Sequence, residues 1–168
     1  IPPPPPCLRR ENAAPLTTDN ILNLFRKGCF RNNHIFRLDR GFVAQVQSVS
    51  KTNSRGEISD ECDHLGRQRV PLEPSPIRHV PGVLSMGRSE DRNSGTSSFS
   101  MLLGKAPHLD NEYTIFGKVV SGVEILRYLE AVTEVKQQGI FVMPKKRITI
   151  VDAGVGSLAT LSAPPREL

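Results

Sequence analysis

A mostly β fold with two helices, its strands forming a closed barrel that the helices cap, is the class this 168-residue sequence predicts. Three observations carry that reading. Several short apolar stretches are bounded by Gly, Pro, Asn, Asp and Ser clusters, the punctuation of strands. Two further stretches carry apolar residues at helical spacing, and no internal repeat interrupts the pattern. Periodicity alone leaves other α+β folds open.

The elements follow in order. Pro2 through Pro6 cannot donate to a ladder and favour an extended polyproline II segment, so residues 1–14 read as a Pro-rich leader or linker. Residues 17–27 read as a helix: Thr17 is the expected N-cap, Ile21, Leu24 and Phe25 form the apolar stripe, and Gly28 is the stop. Strands are expected at 34–38 and 41–47. The interval 48–79 is polar and aperiodic, and it reads as a long variable loop of the kind that is functional or disordered. Strands return at 82–86 and 99–103, with a polar stretch at 88–98 between them. The segment Ala106-Pro-His-Leu-Asp-Asn-Glu-Tyr-Thr-Ile-Phe-Gly-Lys118 is a loop feeding a buried strand at 114–119. Ser121 and Glu124 stand as in a capping box ahead of a second helix with Ile125, Leu126, Leu129 and Val132 on one face. A last half-buried strand at 147–152 alternates Ile148 and Ile150. The expected domain is 15–153, with 154–168 as a tail whose ending, Pro164-Pro-Arg-Glu-Leu168, departs from a retrieval signal at Pro165 and Arg166.

Composition narrows the function classes. With 38% hydrophobic and 23% charged residues the chain fits a soluble domain, and no apolar run reaches the roughly 18 residues that span a bilayer, so no membrane partner is expected. A start at Ile1 rather than Met suits a processed form or a fragment. The net charge of +5 comes from scattered basic residues, and Lys145-Lys146-Arg147 reads as the solvated start of a strand. Two Tyr and no Trp give no aromatic platform for single strands, so nucleic acid is not an expected partner. Cys7, Cys29 and Cys62 are odd in number and dispersed, so no disulfide framework is expected. Cys62 and His64 offer two ligand types without the second pair that would close a zinc site.

Candidate chemistry sits around Arg37. Phe42, Val43 and Gln45 follow it on the next strand, with Val43 and Gln45 on one face. Phe99 and Leu109 could add apolar surface from distant sequence. Taken alone, an Arg among apolar residues is more often a surface strand residue with a buried stem.

The wording of these segments adds to that. Ile35-Phe-Arg37, then four residues, then Phe42-Val-Ala-Gln45, together with Gly82-Val-Leu-Ser-Met86 and Ala13-Ala-Pro-Leu-Thr17, resembles the cyclophilin family of peptidyl-prolyl isomerases. Arg40-Gly-Phe-Val-Ala-Gln45 and Gly139-Ile-Phe-Val-Met-Pro144 resemble a divergent branch found in plants. The resemblance covers about 15–50 and 79–152. It implies an isomerase of X-Pro bonds in flexible or unfolded chains, with Arg37 as catalytic residue. Phe42, Val43, Gln45, Gly87, Arg88, Phe99, Leu109 and Tyr113 would form the substrate site, and no metal or cofactor is implied.

Departures from the family pattern set the alternatives. Phe36 stands for a histidine, Val43 for a methionine, Arg88 for a substrate-binding asparagine and Ser97 for a glutamine. Val46-Gln-Ser48 replaces Gly-Gly-Asp, and His108 replaces a tryptophan, which implies weak cyclosporin binding. The Pro-rich front stands where the family has its first two strands, so a barrel lacking them is expected, with its gap open or covered by another element. A proline-binding module of little or no turnover is the second reading, and a basic nucleic-acid accessory protein the third.

Overall fold

The structure, a computed structural model, describes residues 13–156 and the backbone of residues 7–9. Pro2–Pro6 and the C-terminal Pro164–Leu168 lie outside the described residues. Nine strands and three α-helices are present among them, in the order β1 (Cys7–Arg9), α1 (Pro15–Arg26), β2 (His34–Asp39), β3 (Val43–Val46), α2 (Asp60–Gly66), β4 (Val83–Met86), β5 (Phe99–Leu102), β6 (Ile115–Val119), α3 (Val123–Val132), β7 (Val135–Gln138), β8 (Phe141–Pro144) and β9 (Ile148–Thr149). A one-turn 3-10 helix, Pro107–Leu109, precedes β6. Seven strands form one antiparallel sheet in the order β1-β6-β4-β5-β3-β2-β9, and β7 and β8 form a separate hairpin. The hydrogen-bonded order ends at β1 and β9, so no ladder among the described residues closes the sheet on itself.

The front of the chain departs from expectation by supplying one strand. Cys7 pairs with Val119 and Arg9 with Gly117, so β1 covers one side of β6. An end position suits a strand that follows prolines, since only one of its sides needs ladder donors.

Strand alternation separates two apolar clusters. On one side Ala44 and Val46 of β3 meet Leu24, Phe30, Ile35, Leu38, Leu84, Phe99 and Phe116 in the main core. Phe30 and Phe99 lie 5.6 Å apart and edge to face, as do Phe99 and Phe116 at 5.7 Å, the geometry aromatic quadrupoles favour. On the other side Val43, Val83, Leu102, Ala106 and Ile115 form a smaller cluster, flanked by Phe42, Ile77 and Leu109.

Helix ends correct three expectations. α1 begins at Pro15, two residues before the expected N-cap, and Thr17 lies buried within it. Its cap is remote: the Glu73 carboxylate accepts from Leu16 N (3.0 Å), Thr17 N (2.8 Å) and the Thr17 hydroxyl (2.7 Å). Pro at the first helical position needs no such partner. α3 starts from Gly122 at φ +77° without a side-chain cap, so Ser121 and Glu124 form no capping box. A third helix, α2, stands inside the interval read as loop; Ser59 Oγ accepts from Cys62 N at 3.1 Å, and Asp60, Glu61 and Asp63 favour its N-terminal dipole.

That interval is ordered by tethers. Cys29 and Cys62 form a disulfide across a sequence separation of 33, joining the end of α1 to α2. The sequence, which predicts no disulfide framework, does not reveal this pair, because pairing depends on tertiary proximity, here a Cα–Cα distance of 5.3 Å. Ser97 Oγ accepts from Val49 N (2.8 Å) and donates to Gly66 O (2.7 Å), holding the interval at two more points. Arg147 is half-buried rather than solvated: its Nη2 donates to Asn32 O (2.7 Å) and Asn53 O (2.8 Å). Beside it, burial first and the Arg147 charge second hold the His34 imidazole below its ordinary value of 6.5.

Two outcomes follow. Closing a loop of this length constrains the unfolded chain by about 3–4 kcal/mol in the chain-entropy account. Cys29→Ser/Cys62→Ser should therefore melt well below the parent, and reductant should lower the parent's midpoint but not the variant's; equal midpoints for parent and variant would remove the staple from the stability account. For His34, the unfolded chain takes up a proton from pH 6.5 downward while the folded chain resists it, so stability falls as pH drops through that window. Denaturant titrations at pH 8, 6 and 5 should show that fall, and His34→Gln should flatten it; an unchanged slope in the variant refutes the assignment.

Candidate functional site

β2 and β3 pair so that Arg37 lies directly opposite Gln45. Cross-strand partners share a face, so both point to the side of Val43 and the smaller cluster, away from the main core. The Arg37 side chain is 19% exposed, and its Nη2 donates to Asp39 Oδ2 at 3.1 Å. Its Cζ lies 5.0 Å from the Phe42 ring centroid and 5.5 Å from that of Phe141. Nε is buried and finds no hydrogen-bond partner among the described residues.

The apolar part of the site is built from three elements. Val43 is fully covered, whereas Phe42 and Leu109 remain partly open and form its walls. The His108 ring, on the exposed 3-10 turn, approaches Phe42 at 5.4 Å. On the polar side Gln45 Nε2 donates to Ser98 Oγ (3.1 Å), which donates to Val46 O (2.7 Å). Gly87 makes this possible: a Cβ there would stand 2.8 Å from Gln45 Nε2 and 3.0 Å from Ser98 Oγ.

Two expected site residues point elsewhere. Phe99 is in the main core, opposite Val46, packed on Phe25, Phe30 and Phe116. The register puts Ser100 opposite Gln45 and Leu102 opposite Val43, so β5 presents small and aliphatic side chains where a ring was expected. By the same alternation Ser98 faces the site, and Ser97, fully buried, holds the 48–66 segment instead. Arg88 is only 12% exposed and engaged internally: Nε donates to Glu112 O (3.1 Å), Nη1 to Ser89 O (2.8 Å), and its Cζ stacks 4.1 Å from the Tyr113 ring. Arg88 and Tyr113 thus brace each other at the rim.

A hydrogen-bonded chain beneath the site was not anticipated. Asp110 Oδ1 lies 2.9 Å from His79 Nδ1 and accepts from His79 N at 2.8 Å, while His79 Nε2 lies 2.9 Å from Ser85 Oγ. The backbone N–H and then the ring of His79 hold the Asp110 carboxyl below its ordinary value of 3.8. Ser85 is 2% exposed and His79 1%, so no substrate carbonyl can reach the hydroxyl, and this is no nucleophile. It ties β4 to the turn that carries Leu109. The only signal in the sequence was a lone His before Val80-Pro81-Gly82.

A family model, cyclophilin type peptidyl-prolyl cis-trans isomerase, matches residues 10–155. The chain belongs to the cyclophilin family. A peptidyl-prolyl cis-trans isomerase of Arabidopsis thaliana is 50% identical over 138 residues, 82% of this chain and 60% of that protein. The chain thus spans less than two thirds of this plant relative's length. A peptidyl-prolyl cis-trans isomerase-like protein of Dictyostelium discoideum is 31% identical over 123 residues, 72% of each chain. A cyclophilin from Cryptosporidium parvum, solved in the presence of the dipeptide Ala-Pro, superposes with a TM-score of 0.71 at 27% identity, covering 90% of this chain and 91% of its own. The expected class, mostly β and helix-capped, is thus the cyclophilin fold, with a third helix added.

Removing the Ser85 hydroxyl leaves a buried imidazole nitrogen without its partner and almost no cavity. Ser85→Ala should cost about 1–3 kcal/mol of unfolding free energy, read as a lowered urea midpoint; a midpoint identical to the parent's means the chain of bonds contributes nothing.

Proposed function

We propose that this cyclophilin accelerates cis-trans rotation about X-Pro bonds in flexible or unfolded polypeptides, with Arg37 as the catalytic residue. The observation that carries this is the Arg37 guanidinium standing beside the apolar surface of Phe42, Val43 and Leu109, in register with Gln45. Rotation breaks amide resonance against a barrier of about 18–20 kcal/mol. As the bond twists, the nitrogen becomes pyramidal and its lone pair localises. A guanidinium donor aimed at that lone pair interacts with the twisted amide and hardly with the planar one, so it lowers the barrier without tightening ground-state binding. No proton is transferred and no covalent bond forms. Phe42, Val43 and Leu109 receive the proline ring, and the Gln45 amide, steadied by Ser98, orients the substrate backbone. The Ala-Pro dipeptide named with the Cryptosporidium cyclophilin supports proline-containing peptides as the substrate class. Weak cyclosporin binding is part of this proposal, since His108 offers a small polar ring at the rim.

One observation favours a proline-binding module of low turnover. Phe99 faces the core and Arg88 is held by Glu112 and Tyr113, so two contacts that the family pattern implied for orienting a substrate for rotation are missing.

NMR exchange spectroscopy on a short Ala-Pro peptide separates the readings. The parent should speed exchange, and Arg37→Ala should slow it by about a hundredfold or more, the usual cost of a lost transition-state donor, while retaining peptide binding. Binding without exchange in a folded parent would instead establish the module.

A further inference from the structure

Two segments that resemble the plant branch, Arg40–Gln45 and 139–144, meet in space at Arg37. The β7–β8 hairpin packs on β2, where Phe141 sets its ring edge-on to Phe36 at 5.4 Å and 71°. The same ring lies 5.5 Å from the Arg37 guanidinium carbon, and Phe42 lies 5.0 Å from it. The C-terminal end of α3, which leads into the hairpin, is tied to the β2–β3 turn. Arg40 Nε donates to Glu130 O (3.0 Å), Arg40 Nη2 to Thr133 O (3.4 Å), and Gly41 N to the Glu130 carboxylate. A Gly139 turn at φ +59° closes the hairpin and leaves the Ile140 side chain exposed while Phe141 turns inward.

We propose that Phe141 is a positioning residue for Arg37, which makes the β7–β8 hairpin part of the isomerase apparatus. The inference rests on the isomerase reading above. Arg37 has one hydrogen-bonded anchor, Asp39, and an Nε without a partner among the described residues. A single anchor at the tip leaves the long side chain free to swing about its own torsions. Ring faces hold a guanidinium through its charge and its flat shape together, and Phe42 approaches it from the β2–β3 turn and Phe141 from β8. Preorganised donors act because no reorganisation is needed at the transition state. Loss of one ring therefore loosens the donor rather than the proline pocket, and the effect falls on kcat.

The test compares the full chain with Phe141→Leu, which keeps the bulk and removes the π face, and Phe141→Tyr, which keeps both. Phe141→Leu should lower kcat for an Ala-Pro peptide roughly fivefold to tenfold with peptide affinity within about twofold, and Phe141→Tyr should restore it. In nitrogen-15 spectra the Arg37 Nε–H resonance, identified by its loss in Arg37→Lys, should shift and exchange faster with solvent in Phe141→Leu but not in Phe141→Tyr. Equal rates for the Leu and Tyr variants, or an unmoved Arg37 resonance in the Leu variant, overturn the proposal. Should the parent show no turnover, the isomerase reading fails, and the resonance alone decides whether Phe141 holds Arg37.

Discussion

The pairing of β3 between β2 and β5 is the constraint on which the rest of the molecule depends. Four residues, Val43–Val46, alternate between two faces, and both neighbours are antiparallel and in register. Ala44 and Val46 go to the main core; Val43 and Gln45 go to the site. A slip of one residue would exchange the faces, placing the Gln45 amide among phenylalanines and turning Arg37 toward the core. The aromatic cluster prevents this slip. Phe99 opposes Val46 and is fitted between Phe25, Phe30 and Phe116 at ring separations of 5.6–6.2 Å, and no other register offers it that cavity. Core packing and site geometry are therefore one decision taken twice, once on each face of a strand.

Around this ladder the polar segments are held by specific bonds as well as by apolar burial. The interval between β3 and β4 places Val49 and Val70 in the main core and packs Ile58 and Leu65 against it. It is fixed by the Cys29–Cys62 disulfide, by Ser97 bridging Val49 and Gly66, by Glu73 capping α1 and by His79 joining Asp110 to Ser85. Each joins positions distant in sequence, so each stabilises the folded chain without shaping it locally. Glu73 serves twice: its carboxylate offers the acceptors that the first turn of α1 requires, and its own backbone N–H donates to Thr114 Oγ1 at 2.9 Å beside β6.

This division explains what could be read from the sequence. β2 to β6 announced themselves by apolar runs with turn residues at their ends, and Arg37, Phe42, Val43 and Gln45 could be placed because their spacing determines their pairing. Phe99 could not. It lies within Ser97-Ser98-Phe99-Ser100, where one ring among small polar residues does not say which face is buried, and only the register with β3 decides. Thr17 was read as a cap because local sequence cannot show a carboxylate that arrives from Glu73. The Cys29–Cys62 pair was not legible because an odd, dispersed set of cysteines carries no connectivity. The β7–β8 hairpin escaped notice since Val135–Gln138 has little apolar alternation; β7 is mostly exposed, and it exists to present β8.

The surroundings of Arg37 then make physical sense as a compromise between holding a charge and leaving it usable. Full pairing in a fork with a carboxylate would satisfy the guanidinium but commit its donors in the ground state. Here Asp39 accepts from one nitrogen at 3.1 Å, which balances the charge electrostatically and anchors one end. The aromatic rings of Phe42 and Phe141 engage the guanidinium through their faces, and a ring face attracts a cation without occupying an N–H. A guanidinium has five donors; anchored in this way, it keeps donors uncommitted, as the catalytic role proposed for it would require. The buried Nε, without a hydrogen-bond partner among the described residues, is the cost of that arrangement.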